Sequence, residues 1–354
     1  LQMTKSSMAD APQAHIISLV TATPDHSISQ NEVVSRIGQS MGGEMPRHLQ
    51  SIYNNSGIDT RYLAQPADDY MAPAEWPQRN AAYLEHADKL ICDLTADALA
   101  KTSLSANDID IIICVSSTGV ATPSLPTQML QKAGFAASTQ IIPLFGYGCA
   151  GGVLGMQVAR DMAIARPDAN ILLLCVELCS LAFRMGDNSK KGIVSTALFA
   201  DGGSAMIVSA QGDGPRIGDI VQKTWPDTRD MMGWDIDEAG LGLILARDIP
   251  SFVTREFAPV LDDFLAANAL KKSDLREPAC HPGGAKVIDA LESYFDHLPN
   301  GLPLTRQVLR GHGNMSSPTV HFVLEQIMQA DDDRPIIITA LGPGFTGAAG
   351  LVHP

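Results

Sequence analysis

Aromatic residues are scarce in this sequence, at 5% of its 354 positions, and none of its six cysteines forms a C-x-x-C pair. The cysteines at 92, 114, 149, 175, 179 and 280 lie mostly in apolar runs. That excludes a sequence-level zinc site and reads as reduced thiols, not a disulfide framework. Basic residues are also in deficit: 25 Lys and Arg stand against 39 Asp and Glu, a formal net charge of −14. Nucleic acid is thereby excluded as the main partner, because a phosphate backbone calls for clustered Lys and Arg. A local basic patch for one anionic ligand stays compatible. No run of about 18 apolar residues exists, so no membrane span is expected. The opening LQMTKSSMADAPQAH has no apolar h-region, so no signal peptide is expected and the chain is read as cytoplasmic. Leu1 and Gln2 precede Met3 and look like a remnant of expression; residues 1–14 are set aside as a flexible N-terminal segment.

Apolar sequence is plentiful, at 45% of residues, enough for a sizeable core. HIISLVTA (15–22), IDIIICVSS (109–117), QIIPLF (140–145), ANILLLCVE (169–177) and RPIIITALGPG (334–344) read as buried strands. TALFADG and SAMIVSA, from 196 to 210, read as a continuation of the sheet. Between residues 81 and 104, Leu84, Ala87, Ile91, Leu94 and Ala98 recur at helical steps. A second helix face carries Val253, Phe257, Val260, Leu261, Phe264 and Leu265. Shorter helices are predicted over 31–41, 47–57, 124–135, 153–165, 283–295 and 316–330, the last with Ser at its cap and Pro318 near its first turn. Residues 211–238 read as a polar connection. Helices alternating with continuous apolar strands predict an α/β fold with mixed sheets covered on both faces. The two halves follow a similar order, which suggests a duplication.

Residues 146–152 read GYGCAGG, between apolar QIIPLF and helix-like VLGMQVARDMAIA. Gly146, Gly148 and Gly151 satisfy G-x-G-x-x-G, the fingerprint of a dinucleotide site, with Glu177 as a late acidic partner. Against that reading, the fingerprint ordinarily opens the first βαβ unit, and here it lies mid-chain. The other reading makes Cys149 a nucleophile. A thiol at a helix N-terminus meets unsatisfied N–H groups and the positive end of the dipole, which favour thiolate. The flanking glycines let an acyl group approach the backbone, and the Cys149 N–H is placed to donate to a thioester oxyanion. An inert buried cysteine is the plain alternative. CHPGGAKVID puts His281 in a Gly-Pro turn before a helix, and GHGNMSSPTV puts Asn314 in a glycine-flanked turn before another. A lone histidine is commonly structural, and an Asn beside Gly is commonly a turn former. Three polar residues at three loop-to-helix transitions are harder to explain that way.

In that order and spacing, GYGCAGG, HPGG and GHGNMSSPT resemble the Cys-His-Asn set of the type III polyketide synthases, the chalcone synthase family. The likeness runs from TATPDHSISQNEV to GPGFTGAAGLV. It implies a thiolase-like fold, two similar α/β halves in five αβαβα layers. The N-terminal half, 15–215, would carry the nucleophile, and the C-terminal half, 216–354, the His and Asn. It further implies a homodimer with acyl-CoA and malonyl-CoA as substrates and no metal or cofactor. In this reading Cys149 holds the growing chain and forms an ion pair with His281. His281 and Asn314 stabilise the enolate left when malonyl-CoA loses carbon dioxide. MGWDIDEAGLGLILARDIP resembles bacterial members, of the alkylpyrone and alkylresorcinol synthase type.

The resemblance also assigns a cavity. ALFADGGSAMIV places Phe199 as gatekeeper, and LGPGF places Gly342, Pro343 and Gly344 in the loop that shapes the site. Ser117, Thr118, Cys179, Ala182, Ser195 and Leu243 align with cavity positions, joined by Glu177 and Ser316. Cys179 and Ala182 stand where plant members carry threonines, and Leu243 replaces an aromatic ring; less bulk and polarity predicts a medium- to long-chain fatty acyl starter. Thr122, with Pro123, corresponds to a segment that crosses toward the partner's cavity. The family's CoA-binding basic positions are His48, Ser51 and Asn55 here, so Arg47, Arg61 or Lys286 are the candidate substitutes, with Gly283 and Gly284 beside them. EPACH is a poor strand sequence before His281. The alternatives are a ketoacyl synthase fed by acyl carrier protein and a dinucleotide-binding oxidoreductase. A non-catalytic acyl binder should have lost one of the three residues, and none is lost.

Overall fold

The computed structural model describes residues 11–354 apart from positions 73, 131 and 185. Residues 1–10 of the segment set aside as flexible lie outside the described residues. Ala14 at its end is buried, and its carbonyl accepts from the Ile217 N–H at 2.8 Å.

The first half runs β1 (His15–Ala22), β2 (His26–Ser29), α1 (Gln30–Ser40), α2 (Arg47–Asn54), β3 (Thr60–Leu63), α3 (Trp76–Ala100), β4 (Ile111–Val115), α4 (Leu125–Met129), β5 (Gln140–Leu144), α5 (Gly151–Ala165), β6 (Asn170–Leu178), α6 (Lys190–Leu198) and β7 (Asp201–Ser209). The second half runs β8 (Arg216–Thr224), β9 (Met232–Asp237), β10 (Gly240–Leu245), α7 (Ile249–Phe252), α8 (Ala258–Ala267), β11 (Ala279–Cys280), α9 (Ala285–Tyr294), α10 (Pro303–His312), α11 (Thr319–Met328), β12 (Ile336–Gly342) and β13 (Thr346–His353).

Nine strands form one continuous mixed sheet that folds into two layers, β5-β4-β6-β7-β1 and β8-β13-β12-β11, meeting at the pair His15–Arg216. Side-chain alternation decides what covers each face. In β4, Ile111, Ile113 and Val115 face α5, while Ile112 and Cys114 face α3. In β12, Ile336, Ile338 and Ala340 face the central helices, and Ile337 and Leu341 face α8 and α9. The order is therefore α3, sheet, α5 with α11, sheet, α8 with α9: the five layers that the resemblance implies. Strands covered on both faces need apolar residues at every position, which is why these runs were continuous in the sequence.

Two expectations are corrected. Residues 211–238 are not a polar connection, because β8 and β9 lie inside them. In β8 Ile217 is buried while Asp219 and Lys223, two and six residues on, are exposed: the pairing with β13 shifts register between Ile217 and Ile220, so no period-2 signal survives in its sequence. Thr196–Leu198 is the end of α6, not a strand, and the chain turns at Phe199 before β7 begins. The poor strand before His281 is two residues long, Ala279–Cys280.

Candidate active site

Cys149, His281 and Asn314 each stand where a loop becomes a helix, and the fold brings the three together. Cys149 sits in a short turn before α5, the buried helix of the central layer. Two of its glycines make room for close packing. A Cβ on Gly148, whose φ is +47°, would meet the Pro343 ring at 2.8 Å, and one on Gly152 would meet the Ser317 carbonyl oxygen at 2.4 Å. They let the Cys149 turn pack against the 342–344 loop and the start of α11, while a Cβ on Gly146 would meet nothing within 4 Å. Ser117 Oγ accepts from the Gly146 N–H at 3.1 Å and ties this turn to the end of β4.

Asn314 is held by its own backbone. Its N–H donates to the Leu198 carbonyl at 3.0 Å, and its carbonyl accepts from the Ala200 N–H at 2.9 Å. These bonds bracket Phe199, so one contact fixes both Asn314 and Phe199. Asn314 Oδ1 accepts from the Ser316 N–H at 2.8 Å, which sets the amide orientation, and Nδ2 donates to the Gly283 carbonyl at 3.5 Å. His281 follows β11, its N–H donating to the Thr339 carbonyl at 2.8 Å.

All three side chains are buried and line one cavity of about 460 Å³ with Phe199. Cys149 Sγ lies 3.6 Å from Ser316 Oγ and 4.0 Å from Asn314 Oδ1. Neither ring nitrogen of His281 has a hydrogen-bond partner among the described residues. Burial pushes the Cys149 thiol up to about 12 and the His281 imidazole down to about 3. Burial thus favours the neutral form of each group. Desolvation works against the thiolate and the Cys149–His281 ion pair that the resemblance implies.

Glu177 is fully buried behind this turn. It accepts from the Ser117 N–H and Thr118 Oγ1 at 2.9 Å each, and from Ser317 Oγ at 3.1 Å. Burial raises its carboxyl to about 7 despite these bonds. Cys179 is buried just beyond β6. Ala182, Ser195 and Leu243 line a separate space of about 180 Å³ on the other side of α6. α6 is the partition: Lys190, Val194 and Leu198 face the Cys149 cavity, and Gly192, Ser195 and Thr196 face the second. Trp234, across the β9–β10 pair from Leu243, lines that second space and donates its Nε1–H to the Ser117 carbonyl at 2.7 Å. The bulk absent at position 243 is thus restored from the neighbouring strand. Thr122 is exposed on the surface.

Gly283, Gly284 and Lys286 line the Cys149 cavity as expected. Arg47 and His48 are exposed on the first turn of α2 and do not line it; Ser51 and Asn55, one and two turns on, do. Arg61 is not a CoA contact. It is 1% exposed and donates to the carbonyls of Thr196, Ala197 and Phe199 and to Gln30 Oε1. The signal for its burial was its place in β3, whose alternate residues point inward. Sequence reasoning missed Lys190, Arg247 and Trp234, which reach their cavities from elements distant in sequence. Among the described residues, no group of His, Cys, Asp and Glu is placed to hold a metal ion.

A sequence model described as FAE1/Type III polyketide synthase-like protein matches residues 21–217. A second, for the C-terminal domain of chalcone and stilbene synthases, matches residues 217–353. The chain belongs to the type III polyketide synthase family. It is 35% identical over 338 residues to a 1,3,6,8-tetrahydroxynaphthalene synthase of Streptomyces peucetius subsp. caesius, covering 92% of this chain and 89% of that one. A putative chalcone synthase of Bacillus subtilis (strain 168) is 30% identical over 353 residues, covering 94% and 96%. The crystal structure of 1,3,6,8-tetrahydroxynaphthalene synthase from Streptomyces coelicolor A3(2), a bacterial type III polyketide synthase, matches with a TM-score of 0.90 at 27% identity, over 96% of this chain and 99% of that one. The fold is thus the thiolase-like fold of type III polyketide synthases, and the chain is an acyltransferase-type enzyme. The glycine fingerprint at 146–151 is an accidental match.

Proposed function

We propose that this type III polyketide synthase condenses a medium- to long-chain fatty acyl-CoA starter with malonyl-CoA and closes the product to an alkylpyrone or alkylresorcinol. The convergence of Cys149, His281 and Asn314 on one cavity carries the catalytic part of this reading. The thiol of Cys149 attacks the starter thioester as its proton passes to an unbonded ring nitrogen of His281. The C–S bond to CoA breaks, the thiol of CoA leaves with that proton, and the acyl group stays on Cys149. Malonyl-CoA then loses carbon dioxide. The enolate oxygen is held by the N–H of neutral His281 and by Asn314 Nδ2, whose second hydrogen is not used by Gly283. Such preorganised donors are worth about 3 kcal/mol each. The enolate carbon attacks the Cys149 thioester and the Cys149 thiolate departs; that thiolate then attacks the lengthened CoA thioester, the C–S bond to CoA breaks, CoA leaves as a thiolate that takes a proton from water, and the chain is again on Cys149. Phe199 closes the cavity over the reacting atoms.

The apolar wall of Val194, Leu198, Met232, Leu245 and Leu341 in the Cys149 cavity, and the small Ala182 in the second space, support an alkyl starter. Each buried methylene contributes ~0.8 kcal/mol, so affinity should climb with chain length until the space ends. A second reading is favoured by Trp234, which refills the space beside Leu243: a small aromatic product like the tetrahydroxynaphthalene named for the relatives above. Mass spectrometry of products from an acyl-CoA series with malonyl-CoA separates the two. Alkylated pyrones or resorcinols peaking at medium or long chains support the first. Activity with malonyl-CoA alone, unaffected by fatty acyl-CoA, overturns it. A homodimer is part of the proposal. β5 is an exposed sheet edge, and Phe145 and Val120 beside it are 56% and 50% exposed.

A further inference from the structure

The central layer is largely apolar, yet it holds a histidine that the mechanism above does not use. Val153, Leu154, Met156 and Ala159 of α5 pack with Val320, Val323 and Leu324 of α11 between the two sheet layers. His321 stands among them on α11, fully buried. An imidazole in such a place is costly unless its ring nitrogens are bonded, and both are. Nδ1 lies 2.8 Å from Ser204 Oγ of β7, and Nε2 lies 3.2 Å from the carbonyl oxygen of Gly152 in the first turn of α5. A carbonyl only accepts, so Nε2 carries the ring hydrogen and Nδ1 accepts from the Ser204 hydroxyl. Burial lowers this imidazole to about 4, so the ring is neutral at pH 7 and keeps that arrangement.

The place of the Gly152 carbonyl gives the bond its meaning. Gly152 is three residues beyond Cys149, in the turn that follows the thiol. α11 opens shortly after Asn314 and Ser316, which lie 4.0 Å and 3.6 Å from Cys149 Sγ. The separation of Cys149 from Asn314 therefore follows from how α5 sits against α11. The two backbones are close there: a Cβ on Gly152 would meet the Ser317 carbonyl oxygen at 2.4 Å and Val320 Cγ1 at 2.8 Å. Apolar packing limits their approach but opposes sliding only weakly, whereas a hydrogen bond fixes distance and direction. Among the described residues, His321 to Gly152 is the one hydrogen bond that joins α5 to α11. Ser317, just before α11, donates to Glu177 of β6 instead. Ser204 orients the ring from β7, the strand that follows Phe199.

We propose that His321 is a positioning residue, which pins α5 to α11 through the Gly152 carbonyl and so fixes the reach from the enolate held at Asn314 to the acyl group on Cys149. The proposal rests on the condensing reading above and concerns one branch point in it. After malonyl-CoA loses carbon dioxide, an enolate carbon within reach of the Cys149 thioester forms the C–C bond. One out of reach takes a proton from water and leaves as acetyl-CoA. His321 favours the first branch without touching substrate.

The test counts acetyl-CoA released per C–C bond formed, with a fatty acyl-CoA starter and malonyl-CoA. His321→Leu should raise that ratio about tenfold and lower kcat for condensation by about tenfold to a hundredfold. The KM for malonyl-CoA and the rate of Cys149 acylation by starter should stay within about twofold. His321→Gln, whose amide reaches as far as Nε2, should return the ratio to within about twofold of wild type. His321→Asn, which reaches only as far as Nδ1, should not. Val323→Ala removes packing from the same layer and leaves both bonds, so it should lower thermal stability with an unchanged ratio. If His321→Leu lowers stability alone, or if Val323→Ala raises the ratio as much, His321 is structural and the proposal is wrong. Should His321→Leu not fold, the Gln and Asn variants decide: equal ratios in the two overturn the proposal. C–C bond formation by the wild type keeps the condensing reading in either case. A wild type that releases acetyl-CoA and forms no C–C bond with any starter overturns both.

Discussion

Cys149 and His281 are buried in a pocket that opposes charge on either of them. That has a measurable consequence. A thiol raised to about 12 is almost wholly protonated at neutral pH, and its thiolate fraction grows about tenfold per pH unit through the accessible range. Alkylation of Cys149 by iodoacetamide should therefore accelerate steadily to beyond pH 9, followed by peptide mass spectrometry. A rate that levels off below pH 7 would show a preformed thiolate–imidazolium pair. Arg61 is the opposite case, a charge that burial tolerates because carbonyls surround it. Burial lowers it only to about 10, so it stays a cation at neutral pH. It ties the end of α6 and the Phe199 carbonyl to β3. Arg61→Met would leave those carbonyls and Gln30 without their donor, costing about 3–5 kcal/mol in denaturant unfolding. A loss under 1 kcal/mol, on the order of one surface pair, would contradict that role.

At the scale of elements, α6 separates the Cys149 cavity from the space lined by Ala182, Ser195, Leu243 and Trp234. If an alkyl starter reaches that second space, Trp234→Ala should lengthen the preferred chain and Ala182→Trp should shorten it, read as kcat/KM across a chain-length series. An unchanged optimum in both variants would confine the starter to the first cavity. The sequence made most elements legible because their surroundings are uniform. β4, β6 and β12 are covered on both faces and are apolar at nearly every position. α3 has one buried face and showed it at helical steps. β8 and β9 escaped because exposed, charged residues interrupt their apolar side. The catalytic set was legible through three local turns, each opening a helix. The cavity was not, because its walls come from cross-chain pairings. Nothing in the local sequence of β10 shows that Trp234 stands opposite Leu243. Capping differs in detail too: no side chain caps α11, and Thr319 Oγ1 accepts instead from the Met315 N–H ahead of the helix at 2.9 Å.

At the scale of the molecule, a central pair of helices shared by two sheet layers holds residues of both halves on one site. Cys149 comes with the first layer, His281 with the second, and Asn314 with the helix between them, so the site exists only in the assembled fold. The exposed edge of β5, with Phe145 and Val120 beside it, predicts pairing with a second copy. Light scattering at micromolar concentration should give twice the chain mass of 37.7 kDa, and a monomer would contradict the proposed assembly. The central claim is that Cys149 accepts the acyl group and Asn314 acts at the later decarboxylation. It is tested most directly by incubating the enzyme with starter acyl-CoA alone and locating the acyl adduct by peptide mass spectrometry. The account predicts one adduct per chain, on the Cys149 peptide, lost in Cys149→Ala and retained in Asn314→Ala. An adduct on another cysteine, or one that persists in Cys149→Ala, would contradict it.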